Sequence, residues 1–425
     1  MKCSIRSSLT DLAAVRRFGV GLFGVGLLGA CIDQSASPAV SSGGQATATP
    51  GAPSVAGSAA AGAGGAAEGT GGVREPEPDP GLTSAELVMD MSPGWNLGNT
   101  LDSCTNDPEQ VQWVNEMYWG NPRVTEDLFL ALKDDGIRGI RIPVTWRHFI
   151  GAGPDYPIDA AWMGRVEEVV NYAVDNDMYA ILNLHHDGGT DSFAWLGDAQ
   201  NDYEGTMEKF QAVWLQIAER FRNHPHRLVF ESMNEVSFPA LEQSAGEEAA
   251  YALLNDMNQH FVDWIRASGG TNATRHLLLA GYATDIRESV AGWALPEDPA
   301  DRSIISIHYY TPWRFCITAD RTTWGTAEDL DELTARFDQL ETAFIDNGVP
   351  VILGEYGVVF RGPESDSRIF WLEHVTKAAH DRGIAPFLWD NGEEVNRDTY
   401  EWRTDGLLEA ILRASSGEDY EITRQ

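Results

Sequence analysis

The chain has 425 residues, 43% hydrophobic and 10% aromatic, enough to bury one large core. Its 64 acidic side chains outnumber 30 lysines and arginines, giving a formal net charge of -34. A surface that acidic repels nucleic acid and anionic lipid, excludes both as partners, and suits a neutral polymer.

The first residues read as a targeting segment. Lys2, Arg6, Arg16 and Arg17 precede an apolar stretch, Phe18 to Ala30, that is too short to span a bilayer as a helix. It ends in Leu28-Gly29-Ala30-Cys31, which resembles a bacterial lipobox, where the cysteine becomes the lipidated N-terminus after cleavage. Residues 1–31 are therefore expected to be a lipoprotein signal peptide lipidated at Cys31, in preference to an ordinary secretory signal with an incidental cysteine. The flanks of Arg16-Arg17 fit a twin-arginine export signal poorly. Residues 32–80 are rich in Ser, Gly, Ala, Thr and Pro, cannot bury enough apolar surface to fold, and predict a flexible tether. Roughly fifty such residues reach about 40 Å. The destination is a cell-surface or periplasmic lipoprotein, or a secreted protein, touching membrane only through the lipid.

From Thr83 onward, short apolar runs begin near Gly94, Gly136, Met178, Leu228, His276, Ile304, Pro350 and Ala385. Helical patterns lie between them. Asp159 caps a helix over 160–175, and another spans Glu247 to Ser268, with Gly269-Gly270 as its stop. Strand then helix, eight times, predicts a (β/α)8 barrel forming a single domain over 81–416, with a tail at 417–425. The rival is an open doubly wound sheet. It would usually carry a Gly-rich phosphate turn after its first strand, and Gly94-Trp-Asn-Leu-Gly98-Asn is not one.

Two runs end in acids: Leu228-Val-Phe-Glu-Ser-Met-Asn-Glu235 and Pro350-Val-Ile-Leu-Gly-Glu355. A barrel brings its strand ends to one face, so these carboxylates can share a cleft. Arg141 lies on the second run, His185-His186 follow the third, and Asn234 precedes Glu235. His308 and Tyr310 close the sixth run, Trp389 and Asn391 the eighth, and Asn96 lies on the first. Two acids with imidazoles, a guanidinium and an indole suit a sugar pocket. The acids supply the chemistry, the polar neighbours tune their protonation, and the indole stacks on a pyranose face.

Here the chain resembles glycoside hydrolase family 5, the cellulase family of retaining (β/α)8 enzymes, from about Gly94 to Gly392. Gly94-Trp-Asn-Leu-Gly-Asn-Thr-Leu-Asp102 and Trp119-Gly-Asn-Pro122 are similar to its subfamily 4 endoglucanases and xyloglucanases. The resemblance implies that Glu235 is the acid/base and Glu355 the nucleophile. It implies that Arg141 sits by the nucleophile, that His185 is the family's first histidine after the third strand, and that Asn234 meets the sugar 2-hydroxyl. It gives His308 and Tyr310 the positioning of the two acids, and Trp389 the platform before the scissile bond. Val236 departs from the proline common after the acid/base, which affects a loop and no role. The implied activity is a retaining endo-β-1,4-glucanase acting by double displacement, with xyloglucan-specific, lichenase or β-mannanase activity as alternatives on the same machinery. The retaining class expects carboxyl groups about 5–5.5 Å apart.

Other readings stay open beside it. A carbohydrate-binding surface lipoprotein would keep the cleft without turnover, and a metal-dependent barrel hydrolase would use His185 and His186 as ligands. Adjacent strand residues point to opposite faces, so that pair is not expected to bind metal, and no cofactor is expected. Trp214, Trp264 and Trp371 fall in helical patterns and are expected in the core, whereas Trp195 and Trp313 follow strand ends and are cleft candidates. Cys104 and Cys316 both follow strand ends; they are either a disulfide or two thiols. A monomer is expected.

Overall fold

Eight parallel strands close on themselves in the order of the sequence. They are β1 (Gly94–Leu97), β2 (Gly139–Ile142), β3 (Tyr179–Asn183), β4 (Leu228–Glu231), β5 (Leu277–Ala280), β6 (Ser303–Tyr309), β7 (Val351–Tyr356) and β8 (Ala385–Asp390). This computed structural model describes residues 75, 77–188 and 193–424. The expected signal peptide, Cys31 and nearly all of the tether lie outside the described residues. Helices alternate with the strands, so the (β/α)8 barrel expected from the apolar runs is the observed fold. Among the described residues, no helix is long and apolar enough to cross a membrane.

Local sequence explains the helix ends. Asp159 caps the helix Ala160–Val174 by accepting the N–H of Trp162, and the helix Glu247–Ser268 stops at Gly269. A further helix, Ser84–Asp90, opens with a capping box: Thr83 accepts the N–H of Glu86, whose carboxylate accepts the N–H of Thr83 at 2.8 Å. That helix brings Leu87 and Val88 against the foot of the barrel.

Strand alternation divides the core in two. Ile181, Val229, Leu278, Ile304, Ile352 and Phe387 form a cluster distinct from the larger one shared by strands and helices, as expected for side chains facing the barrel axis. Phe387 needs two glycines beside it. A Cβ at Gly94 would lie 2.3 Å from its ring and one at Gly139 2.9 Å away. Two positions further along the inward face, the apolar residues give way to polar ones: Asn96, Arg141, Asn183, Glu231 and Ser306. The core therefore ends and the site begins within one strand pleat.

Residues 417–424 pack onto the domain. Tyr420 donates to Glu373 at 2.8 Å, and Lys377 reaches the carbonyl of Glu418 at 2.9 Å. At the other end Arg302 pairs with Asp79 at 2.7 Å. Both contacts fall just outside the expected 81–416 boundaries.

Two imidazoles lie at the foot of the barrel, remote from the strand ends that carry the site. Burial pushes His276 down to about 3, helped by Arg302 and His226, and burial pushes His226 down to about 4. Each titrates near 6.5 when unfolded. Their contribution to stability is complete above about pH 6.5 and is lost as pH falls toward the folded values. In urea unfolding, the midpoint of His276→Leu should vary less between pH 6.5 and 4 than that of the parent protein. Equal slopes would show that this imidazole does not drive acid unfolding.

Candidate active site

Arg141 organises the upper end of the barrel. The side chain is fully buried and stretches across the axis from β2. Its Nε donates to Glu231 Oε2 at 2.7 Å. Nη1 donates to Glu355 Oε1 at 2.6 Å and Asn96 Oδ1 at 3.0 Å, and Nη2 donates to Asn234 Oδ1 at 2.7 Å. Burial works against its charge, but Glu231 and Glu355 hold the proton on it more firmly than usual.

Glu355 owes its position to a bulge. The β6–β7 register runs Ile307 to Leu353 and then His308 to Glu355, leaving Gly354 as the extra residue on β7. A bulge re-aims the next side chain, here toward the barrel axis. Tyr310 donates to Glu355 Oε2 at 2.9 Å, so both carboxylate oxygens are held. Burial, then the charges of Glu355 and Glu235, pushes the Tyr310 hydroxyl well above its ordinary range, so it stays a donor.

Glu235 lies four residues beyond β4, in a loop where its φ is 46°, the left-handed region. Such backbone is uncommon for a residue with a side chain and clusters at functional sites. His308 Nδ1 stands 2.7 Å from Glu235 Oε1 and 3.7 Å from Glu355 Oε2. An oxygen of each carboxyl and a nitrogen of His308 lie within 4.8 Å of one another.

The histidines after β3 correct an expectation. His185 and His186 follow the end of the strand, so strand alternation does not separate them, and their rings meet at 4.6 Å. With Asp102 they offer three ligand atoms within 4.8 Å, a second group that could hold a cation. Burial keeps both imidazoles neutral, His185 well below its ordinary value and His186 at about 3. Burial also raises Asp102 to about 7 against the N–H groups of Thr100 and Asn99. His185 stacks on Trp389 at 5.6 Å and 7°, and Trp119 meets His186 edge-on at 5.6 Å.

Other candidates fall in several places. Asn96 is buried and gives its amide N–H groups to the carbonyls of Gly354 and Phe387, so it supports Arg141 from beneath. Asn391 caps a turn by accepting the N–H of Glu393 at 3.3 Å, and its carbonyl receives Asn121 at 3.0 Å. Trp313 is exposed after β6. Trp195 is a correction: it is buried in the core, its indole N–H held by Asp187 at 2.7 Å and its face covered by Lys209 at 4.2 Å. Its place after a strand end suggested a cleft, but Phe210 and the following helix enclose it. Trp214 and Trp371 are fully buried and Trp264 packs against the core, as their helical spacing predicts.

Cys316 carries a free, buried thiol, so the considered Cys104–Cys316 bond does not form. The reason is topological: β1 and β6, which the two residues follow, are three steps apart around the barrel.

Reading the sequence missed Glu231, Asn183, Ser306 and Asp390. Glu231 is fully buried and accepts from Arg141, from Asn183 at 3.0 Å and from Ser306 at 2.8 Å. An acid inside an apolar run, two residues past Val229, was the available signal. Asp390 accepts the N–H groups of Gly392, Glu394 and Val395 and pairs with Arg397 at 3.0 Å, fixing the loop after Trp389.

A profile of the family called Cellulase (glycosyl hydrolase family 5) matches residues 103–395. The Cellulase/esterase CelE of Acetivibrio thermocellus is 37% identical over 352 residues, 79% of this chain and 41% of that protein. Endoglucanase B of Clostridium cellulovorans is also 37% identical over 352 residues, covering 79% of this chain and 76% of that protein. The chain thus spans about two fifths of the first relative and three quarters of the second. Among solved structures, a broad specificity subfamily 4 endoglucanase from Ruminococcus champanellensis with bound cellotriose superposes with a TM-score of 0.71. It is 35% identical and covers 78% of this chain and 98% of that one. A family 5 xyloglucanase from Paenibacillus pabuli gives 0.70 at 34% identity, covering 78% and 100%.

One glycine sets the seat of Trp389. A Cβ at Gly98 would lie 2.8 Å from both the Trp389 ring and the Asp390 carbonyl. Gly98→Ala should tilt Trp389 off His185, changing the near-ultraviolet circular dichroism while the far-ultraviolet spectrum stays that of the parent. An unchanged near-ultraviolet spectrum would show that the indole does not depend on this approach.

Proposed function

Because the chain belongs to glycoside hydrolase family 5, we propose that it is a retaining endo-β-1,4-glucanase that cleaves internal bonds of β-glucans by double displacement. The observation that carries this reading is the approach of Glu235 and Glu355, whose oxygens lie within 4.8 Å with His308 against both. So close an approach favours the roughly 5–5.5 Å class of retaining enzymes over inverting ones, which keep their acids about 6.5–9.5 Å apart for a water.

In this reading Glu355 is the nucleophile. Arg141 and Tyr310 each hold one of its oxygens, which keeps the carboxylate aimed. Glu235 protonates the leaving oxygen as the Glu355–anomeric carbon bond forms, then takes a proton from the water that releases the sugar. His308 suits both steps: its Nδ1 accepts from the protonated acid and donates to the carboxylate, according to tautomer. Asn234 is fixed by Arg141 beside Glu235, in place for the sugar 2-hydroxyl, and Trp389 backed by His185 offers a flat face for a pyranose ring. The net charge of -34 fits a neutral glucan as substrate.

The division of labour can be separated kinetically. Glu355→Ala should abolish turnover on every substrate. Glu235→Ala should lose about 10²–10⁴-fold on natural glucan but retain the first step on an activated aryl cellobioside, whose phenol leaves without protonation. Azide should restore its turnover and give the β-azide. An α-azide from Glu235→Ala, or rescue of Glu355→Ala alone, would exchange the two roles.

Export and anchoring complete the proposal, resting on the basic and apolar stretches before Leu28-Gly-Ala-Cys31. The low-complexity segment 32–80 would hold the enzyme clear of a membrane surface. Cys31→Ser should release the protein from the membrane fraction or stall it as precursor; unchanged membrane association in that variant would defeat the lipoprotein reading.

A further inference from the structure

Glu231 is a fully buried carboxylate, one pleat above the apolar interior, that the proposed chemistry does not use. Its Oε2 accepts from Arg141 Nε at 2.7 Å and Asn183 Nδ2 at 3.0 Å, and its Oε1 accepts from Ser306 Oγ at 2.8 Å. It therefore grips the back of the same guanidinium whose Nη1 holds Glu355. Asn183 Nδ2 also lies 3.2 Å from His185 Nδ1. A donor at Nδ1 makes that nitrogen an acceptor and puts the imidazole hydrogen on Nε2, the atom 4.0 Å from Glu355 Oε1.

One positive charge is thus divided between two buried anions. The groups facing Glu355 are Asp102 after β1, Arg141 on β2, His185 after β3, Glu235 after β4, His308 on β6 and Tyr310 just after it. Arg141 is the fixed cation among them, and burial keeps His185 neutral. Were Arg141 to face Glu355 alone, its whole charge would fall on that carboxylate and make its oxygens poorer donors to carbon. An arginine beside a lone carboxylate moves its titration down by about 1–3 pH units.

We infer that Glu231 is a positioning residue that sets the reactivity of Glu355, by neutralising Arg141 from behind and by fixing, through Asn183, the ring of His185 that faces the nucleophile. The inference rests on the proposed role of Glu355. The competing view is that Glu231 merely anchors a buried arginine, a matter of stability alone.

Glu231→Gln separates the two. The amide oxygen can take the place of Oε2 and accept from Arg141 and Asn183, while the amide nitrogen donates to Ser306, whose hydroxyl also accepts. The hydrogen bonds survive and the charge is removed. With a cello-oligosaccharide, the acid limb of kcat/KM should move to lower pH by roughly 1 unit, and the glycosylation rate should fall by at most roughly tenfold for each unit moved. The ¹³C carboxyl resonance of Glu355, followed without substrate, should titrate at correspondingly lower pH. Glu231→Asp keeps the charge but withdraws it by one methylene from Arg141, so it should shift both readouts the same way by less, and it decides the matter alone if the Gln variant does not fold. An acid limb and a Glu355 titration that stay in place, with only the melting temperature lowered, would overturn the inference. Parent protein inert on every β-glucan would instead overturn the proposed function, while the carboxyl titration would still judge Glu231 by itself.

Discussion

A guanidinium buried completely must find acceptors for its N–H groups and anions for its charge, because leaving either unmatched costs several kcal/mol. Arg141 finds them on Asn96 of β1, Glu231 of β4, Asn234 just beyond β4 and Glu355 of β7. These partners come from opposite sides of the barrel, so the arginine ties the strand ends together across the axis. The position of each partner is then fixed by the same bonds that satisfy the charge.

Two departures from regular backbone bring the acids to this centre. The Gly354 bulge sets Glu355 level with His308 instead of one step out of register, and the left-handed turn at Glu235 returns that side chain toward β6. Regular strands would send alternate side chains outward. The bulge is stabilised by what surrounds it: the Gly354 carbonyl takes an N–H from Asn96, whose own oxygen accepts from Arg141. Strained backbone persists where neighbouring contacts over-determine it, and here those contacts belong to the site itself.

The loop after β8 depends on a second buried carboxylate. Asp390 gathers three backbone N–H groups, the Trp95 indole at 3.2 Å and Arg397, which lies 4.4 Å over the Trp95 ring. This holds the loop after β8 and, with the close approach of Gly98, leaves Trp389 a single seat against His185. Asn121 stitches the loop after β1 to the loop after β8 through the carbonyls of Asn99 and Asn391, both at 3.0 Å. Aromatic faces and acids are thereby held by separate networks that meet at the histidines.

Much of this was legible in the chain. Eight apolar runs with helical spacing between them named the barrel, because a parallel strand buried on both faces must be apolar throughout and its crossover helix must cover it. Strand ends in a barrel share one face, so Glu235, Glu355, Arg141, His308 and Tyr310 could be expected together, and they are. What the tertiary structure alone decided were matters of register and angle. Glu231 read as part of an apolar strand until the pleat placed it on the inner face behind Arg141. His185 and His186 read as divergent until the strand was found to end before them. Trp195 read as a cleft residue until Phe210 and Lys209 were seen to enclose it, and Cys104 and Cys316 shared a face without the closure around the barrel bringing their sulfurs together. Periodicity and motif are local and survive in one dimension, whereas the distance between side chains on different strands depends on stagger, bulges and loop paths that no single segment encodes.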